Sequence, residues 1–312
     1  MGWLDLHMHS DISNDGEYSP KRLMELCLEN SIKVAALADH NSVRGIEDAK
    51  LYADKFGIQL IPAIELDCTF RGVDLHVLGY GINPKHDDFK RVEESVESQE
   101  IGTSKKRMEL VKNMGITFDY DEVMKLSRNG AVTGEMIAEV ALKDDRNKSN
   151  SLMLPFYPGG NRSDNPYVNF YWDICSSGKG AYVPMEFMSL SDAIDLIYDA
   201  GGIPVLAHPG NNVKEDEELL HNIIETGIVG MEVYSSYHSP EQIEFYSKQA
   251  EKYDLIKTLG SDFHGKTKPS IKLGHVDCEN SEDKIYQALI QKIKAQFIFR
   301  KIKMLPIIRS DL

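Results

Sequence analysis

Cysteine is scarce in this 312-residue chain, with only Cys27, Cys68, Cys175 and Cys278, none at metal-site spacing. That pattern excludes a disulfide framework or a thiolate zinc site, and the four are expected to be free thiols of a cytosolic protein. Long apolar runs are also lacking. None approaches the roughly 20 residues of a membrane span, and no basic region with a following apolar stretch marks a secretion signal at the start. Positive charge is in deficit, 35 Lys and Arg against 49 Asp and Glu, a net charge of −14. Such a balance argues against binding duplex nucleic acid or an anionic membrane surface. It leaves an anionic substrate open, because bound cations reverse a local field. The remaining composition, 42% hydrophobic and 27% charged, is that of an ordinary globular protein long enough to bury a sizeable core.

The N-terminal part alternates strand and helix patterns. WLDLHMH reads as a strand, and Ser19-Pro20 opens a helix with Leu23, Leu26 and Cys27 at helical spacing. KVAALAD reads as a buried strand before a helix capped by Asn41 or Ser42, and IQLIPAIELDC and VDLHVLGYG are further strands. Residues 84–182 break the rhythm with a long charged helix over 85–113, smaller helices over 119–127 and 133–143, and a polar, aromatic loop. Alternation then resumes: helix 191–200, strand GIPVLAHP, helix 214–226, strand GMEVYS, helix 239–253 and strand IKTLGSDFH. The expected architecture is an α/β barrel over 1–83 and 183–312, with 84–182 an inserted, mostly helical subdomain.

Residues able to hold metal collect at strand ends. His7 and His9 share one face of the first strand, since side chains alternate along it. His40 follows the second strand, Glu65 and His76 lie in the next two, His208 ends GIPVLAH, and Asp262 and His264 end IKTLGSDFH. Asp15 stands in the loop after the first strand. Barrels gather their active sites from the C-terminal ends of several strands, so these positions converge although they span the chain. Each one alone is weak evidence, since a lone histidine at a strand end is more often hydrogen-bonded structure, but the joint pattern is harder to dismiss. His86, His221 and His275 fit no such pattern and read as surface or helix residues.

In order, DLHMHS, ALADHNS, AIELDC, VLAHPG and GSDFHG resemble the motifs of the PHP (polymerase and histidinol phosphatase) superfamily. The branch most similar is the stand-alone metal-dependent phosphoesterases with an insertion, and YVPMEFMSLSDAI adds to the likeness. The resemblance implies a distorted barrel of seven strands holding two or three divalent ions of manganese, iron or zinc. It places His7, His9, Glu65 and Asp262 around one ion and Asp15, His40 and His264 around another. Glu65, His76 and His208 would serve a third. Asp5, Asp39 and Asp67 are expected behind them, orienting imidazoles by accepting their remaining N–H. Clustered metals suit in-line displacement at phosphorus by a hydroxide bridging them. His208 and His238, the latter just past GMEVYS, are candidates to protonate the leaving oxygen.

The implied activity is hydrolysis of a small phosphomonoester, with nucleotides such as 3′,5′-bisphosphonucleotides among the candidates. A histidinol-phosphatase-like activity on a small metabolite and a metal-binding barrel without turnover are the alternatives. In the resembled branch a Gly-Arg-Pro-His phrase in the insertion and an Arg after His-Pro-Gly are frequent. Here AVTGEMIAEVAL and Asn211-Asn212 stand in their places, so both arginines are absent. Lys179, Arg162 and Arg128 are candidate replacements for contacting phosphate, against a default reading as exposed surface residues. Phe156, Tyr157, Tyr167, Phe170, Tyr171 and Trp172 either cover the barrel mouth or, the favoured reading, pack a core within the insertion.

Overall fold

The computed structural model describes residues 2–279 and 281–303. Eight strands form its sheet: β1 (Leu4–Met8), β2 (Val34–Leu37), β3 (Gln59–Phe70), β4 (Val73–Tyr80), β5 (Met188–Ser189), β6 (Ile203–Leu206), β7 (Gly230–Ser235) and β8 (Ile256–Gly260). They run in the order β1-β2-β3-β4-β6-β7-β8, with the short β5 beside β3. Beyond β8 the chain returns to β1: the N–H of Asp262 donates to the carbonyl of His7 at 2.8 Å, and that of His9 to Phe263 at 3.0 Å. The result is a nearly closed barrel, as the alternation of elements implies.

One strand departs from parallel alternation. β4 runs antiparallel to both β3 and β6. Arg71 and Gly72, the only residues between β3 and β4, have φ of 51° and 81°, the left-handed pair that closes a tight hairpin. The reversal puts the start of β4 beside the C-terminal ends of its neighbours, which is how His76, early in that strand, reaches the barrel mouth.

Helices cover the sheet. Pro20–Glu29 starts where expected, with Ser19 Oγ accepting the N–H of Arg22, and buries Leu23, Met24 and Cys27. Pro240–Lys252 carries a full capping box between Ser239 and Gln242. The helix expected to be capped by Asn41 or Ser42 begins instead at Ile46, after Gly45. Asn41 is drawn away from capping: its side chain donates to Asp67 Oδ2 at 2.7 Å and accepts the Asp67 N–H at 3.0 Å. Glu282–Lys303, a helix the sequence reading passed over, packs against β8.

The long helix Asp87–Asn113 starts where β4 has delivered the chain, at the end of the barrel away from the mouth, and Phe89 is buried in the barrel core. At 1.5 Å per residue its 27 residues span about 40 Å. From its second turn on, Glu93, Glu97, Glu100 and Arg107 face the mouth, and Met108 and Val111 join a second apolar core with Phe118, Ile137, Phe156 and Phe170. That core is built from residues 108–181 and is distinct from the barrel's own.

Candidate metal centre and its cavity

The strand ends bring the metal-capable side chains together. His7 and His9 leave β1 on one face, and both are essentially fully buried. Their Nε2 atoms lie 3.1 Å apart. Glu65 Oε2 is 3.2 Å from each, while Asp262 Oδ1 is 3.4 Å from His7 and 3.1 Å from His9. Four atoms at such separations outline a tetrahedron whose centre lies about 2 Å from each, the usual metal–nitrogen and metal–oxygen distance. Three more groups adjoin it: His9, His40 and His264; Glu65, His76 and His208; and His40, Asp67 and His76. Asp15 Oδ2 lies 3.1 Å from His264 Nε2 and 4.0 Å from His40 Nε2.

Several of these atoms lack the hydrogen-bond partners that buried polar groups ordinarily have. Glu65 Oε2, Asp262 Oδ1, Asp67 Oδ1, His40 Nδ1 and His264 Nε2 are buried with no hydrogen-bond partner. Buried polar atoms are nearly always satisfied, so five converging exceptions fit a site built for cations. The far side of each imidazole is fixed. His7 Nδ1–H donates to Glu232 at 2.9 Å, and His264 Nδ1–H to the carbonyl of Asp262 at 2.9 Å. Ser13 Oγ–H donates to Asp39, so at 3.2 Å it accepts from His9 Nδ1–H. All three rings therefore turn Nε2 inward.

Burial pushes His9 down to about 4, with His264 and His40 beside it acting in the same direction. Burial also opposes charge on His7, but Glu65, Glu232 and Asp262 hold it protonated well above its usual range. Despite burial, Glu65 stays ionised well below the ordinary carboxylate range because His7, His76 and His40 surround it. Asp262 does so chiefly through Lys268, then His264 and His7. Two of the metal-capable residues also sit in strained left-handed backbone, His208 at φ 22° and Asp262 at φ 54°. Strain of this kind persists where the surroundings impose it, commonly at functional sites.

Glu232 escaped the sequence reading. It is fully buried, accepts from His7 Nδ1–H and also accepts the His208 N–H at 2.8 Å. A lone acid at the centre of GMEVYS was the available signal. The expected ring-orienting residues act otherwise. Asp5 accepts backbone N–H groups of Ser261 and Gly274, and Asp39 holds Ser10 and Ser13. Asp67 stands among the ligand-capable atoms themselves, 3.2 Å from His76 Nε2. His238 stands apart from the cluster: its Nδ1–H donates to the Val233 carbonyl at 2.8 Å, and its Nε2 accepts the Gly210 N–H at 3.0 Å. His86, His221 and His275 also lie elsewhere.

Over the cluster opens a cavity of about 500 Å³, within the range for small-molecule sites. Its barrel side includes Asp15, His40, Asp67, His76 and Lys268, and its insertion side Glu100, Arg107, Glu135, Tyr171 and Trp172. Neither His208 nor His238 lines it. Arg128 does, whereas Lys179 does not, and Arg162 pairs with Asp173 instead. The aromatic residues divide: Phe156 and Phe170 pack the second core, as favoured, while Trp172 faces the cavity.

The PHP domain profile matches residues 5–153, the segment carrying His7, His9, His40, Glu65 and His76. The matched segment is a PHP domain. A 5′-3′ exoribonuclease of Haemophilus influenzae is 28% identical over 266 residues, 83% of this chain and 89% of its own. A 3′,5′-nucleoside bisphosphate phosphatase of Chromobacterium violaceum is 25% identical over 89% of this chain and 92% of its own. Among solved structures, an amidohydrolase from Chromobacterium violaceum with bound sulfate and no metal superposes at TM-score 0.73. It is 23% identical and covers 91% of this chain and 95% of its own, a likeness of fold.

Proposed function

We propose that the chain removes phosphate from a small phosphomonoester of the nucleotide class in the cavity between barrel and insertion. The observation that carries this reading is the cluster of buried, unsatisfied His, Asp and Glu donors, of which His40 and Asp67, with Asp15 and His76 beside them, line a ligand-sized cavity. His7, His9, Glu65 and Asp262 would hold one divalent ion, and Asp15, His40 and His264, with His9 at its edge, a second. Glu65, His76 and His208 would hold a third, with Asp67 beside His40 and His76. When bound, such ions supply Lewis acidity and an activated water for displacement at phosphorus. The mix of imidazole and carboxylate without thiolate suits manganese, iron or zinc.

The chain's own residues do the rest. Glu232 and Ser13 keep His7 and His9 in the tautomer that presents Nε2 to the cluster. The insertion, residues 84–182, acts as a subdomain that walls the cavity and limits water. Trp172, on that wall, offers a face on which a base can stack. Four buried free thiols and the absence of a disulfide among the described residues support a cytosolic setting. No helix among the described residues is long and apolar enough to cross a membrane.

A second reading has one observation in its favour. Glu100 and Glu135 place two acids on the insertion wall of the cavity, and a substrate amine, as in histidinol phosphate, would offset the burial that pushes both up to about 7. The test is phosphate release by manganese-loaded protein from adenosine 3′,5′-bisphosphate, AMP and histidinol phosphate, with Asp262→Ala as control. Release from a nucleotide, abolished in the variant, is the expected result. Preference for histidinol phosphate would move the assignment to the amine-bearing class, and activity surviving Asp262→Ala would reject the site.

A further inference from the structure

Lys268 has no role in holding metal, yet it is buried beside the cluster. Its side chain is 8% exposed and its Nζ lies 2.7 Å from Asp262 Oδ2. That oxygen already accepts the Tyr237 O–H at 2.6 Å, while the other oxygen, Oδ1, faces His7 and His9. An ammonium carries three N–H donors. Asp262 takes one, and no second acceptor for the others is present among the described residues. The Tyr237 ring, 5.3 Å away, flanks the charge without accepting a conventional hydrogen bond. Lys268 also borders the cavity, alongside Asp15, His40, Asp67 and His76.

The loop that carries it is pinned. Thr267 Oγ1 donates to the Asp15 carbonyl at 2.6 Å, the Lys268 N–H donates to Gly265 at 3.1 Å, and Ser270 donates to Asn165 of the insertion at 2.8 Å. The ammonium is thus fixed before anything binds, the condition under which a donor contributes most to a transition state. Its position is costly on its own terms. Desolvating a cation takes several kcal/mol per ion, and here it competes with metal for the charge of Asp262. Divalent ions held at the adjoining cluster would add repulsion. An anion arriving at the cavity floor relieves both.

We propose that Lys268 is a catalytic residue that donates to a non-bridging phosphoryl oxygen of the substrate, selecting monoesters over diesters; this rests on the phosphoesterase reading above. A monoester presents three non-bridging oxygens and two charges, a diester two oxygens and one charge. A fixed donor beyond those oxygens engaged at the cluster therefore matters more for the monoester. Were Lys268 merely a support for Asp262, its loss would affect both ester types alike.

The experiment compares manganese-loaded wild type, Lys268→Met and Lys268→Arg on p-nitrophenyl phosphate and bis(p-nitrophenyl) phosphate. Calorimetric binding of inorganic phosphate and metal content are measured alongside. Removal of one such donor lowers kcat by about 100-fold or more. Lys268→Met is expected to keep its metal, bind phosphate about tenfold or more weakly, and lose at least about tenfold more kcat/KM on the monoester than on the diester. Lys268→Arg is expected to recover part of both losses. Equal losses on the two esters, unchanged phosphate binding, or metal lost in step with activity would each overturn the proposal. If Lys268→Met does not fold, Lys268→Gln carries the same comparison. A wild type that holds metal but hydrolyses neither ester would reject the phosphoesterase reading; phosphate binding that still depends on Lys268 would then leave the donor assignment standing.

Discussion

Replacing Glu232 by Gln removes a charge and almost no volume from a fully buried acid beside the cluster. Glu232 makes two hydrogen bonds, from His7 Nδ1–H at 2.9 Å and from the His208 N–H at 2.8 Å. A carboxylate accepts both, whereas a glutamine amide offers one oxygen and one NH₂, so one contact must be lost or reversed. If His7 flips tautomer to accept from the amide, its Nε2 carries a proton where a lone pair is needed. Partners of this kind are worth about 10–100-fold in metal affinity, or roughly 1.4–2.7 kcal/mol. The pH matters to the measurement. His7 is held protonated by Glu65, Glu232 and Asp262, so a metal must first displace a proton, and affinity tightens as pH rises toward the raised folded value. Glu232→Gln takes away one of those acids and weakens that proton competition. The difference between the two proteins should therefore be largest in alkaline buffer and shrink toward neutrality. Manganese titration by calorimetry at pH 8.5 and 6.5 reads both effects. Equal affinities at pH 8.5 would refute the claim that Glu232 orients His7.

Two further outcomes follow from the same geometry. His238→Ala should cost about 1–3 kcal/mol of stability, because it leaves the Val233 carbonyl and Gly210 N–H unsatisfied, yet change kcat/KM only a few-fold; a tenfold activity loss at unchanged Tm would return His238 to the catalytic set. For metal-free protein, His7 contributes stability that is present below its unfolded value and lost as pH rises through its raised folded value. Glu65 and Asp262 contribute stability that is present above the ordinary carboxylate range and lost as pH falls through their depressed folded values. Melting curves from pH 4 to 9 should accordingly show an alkaline decline that manganese abolishes; parallel curves with and without metal would rule this out.

Much of the site was legible because its residues are of rare type and sit where strands end. His7 and His9 announce themselves by period-2 spacing, and Asp262 and His264 repeat the pattern at the closing strand. Glu232 was not legible, since an acid inside an apolar strand shows no sign of which residue it meets across the barrel. His238 was overread: a histidine past a strand end resembles a ligand until its backbone partners are known. Lys268 carries no signal in the sequence, and only the fold of the loop after β8 buries it. The reversal of β4 is written in Arg71-Gly72, a two-residue link too short for a crossover, although VDLHVLGYG alone does not show direction.

The helix Asp87–Asn113 acts as a ruler. Because β4 ends on the far side of the barrel, the chain has to return along the sheet to wall the mouth, and one continuous helix makes that return, lining the cavity with Glu93, Glu97, Glu100 and Arg107 on the way. The depth of the substrate chamber is thus written in a residue count. Excising seven residues, two turns that nearly preserve rotational phase, would lower the insertion by about 10 Å and press it onto the cluster. Adding seven would lift it away by the same distance. Within this architecture the size of accepted substrate can change through the length of one helix, with every metal-capable side chain left where it is.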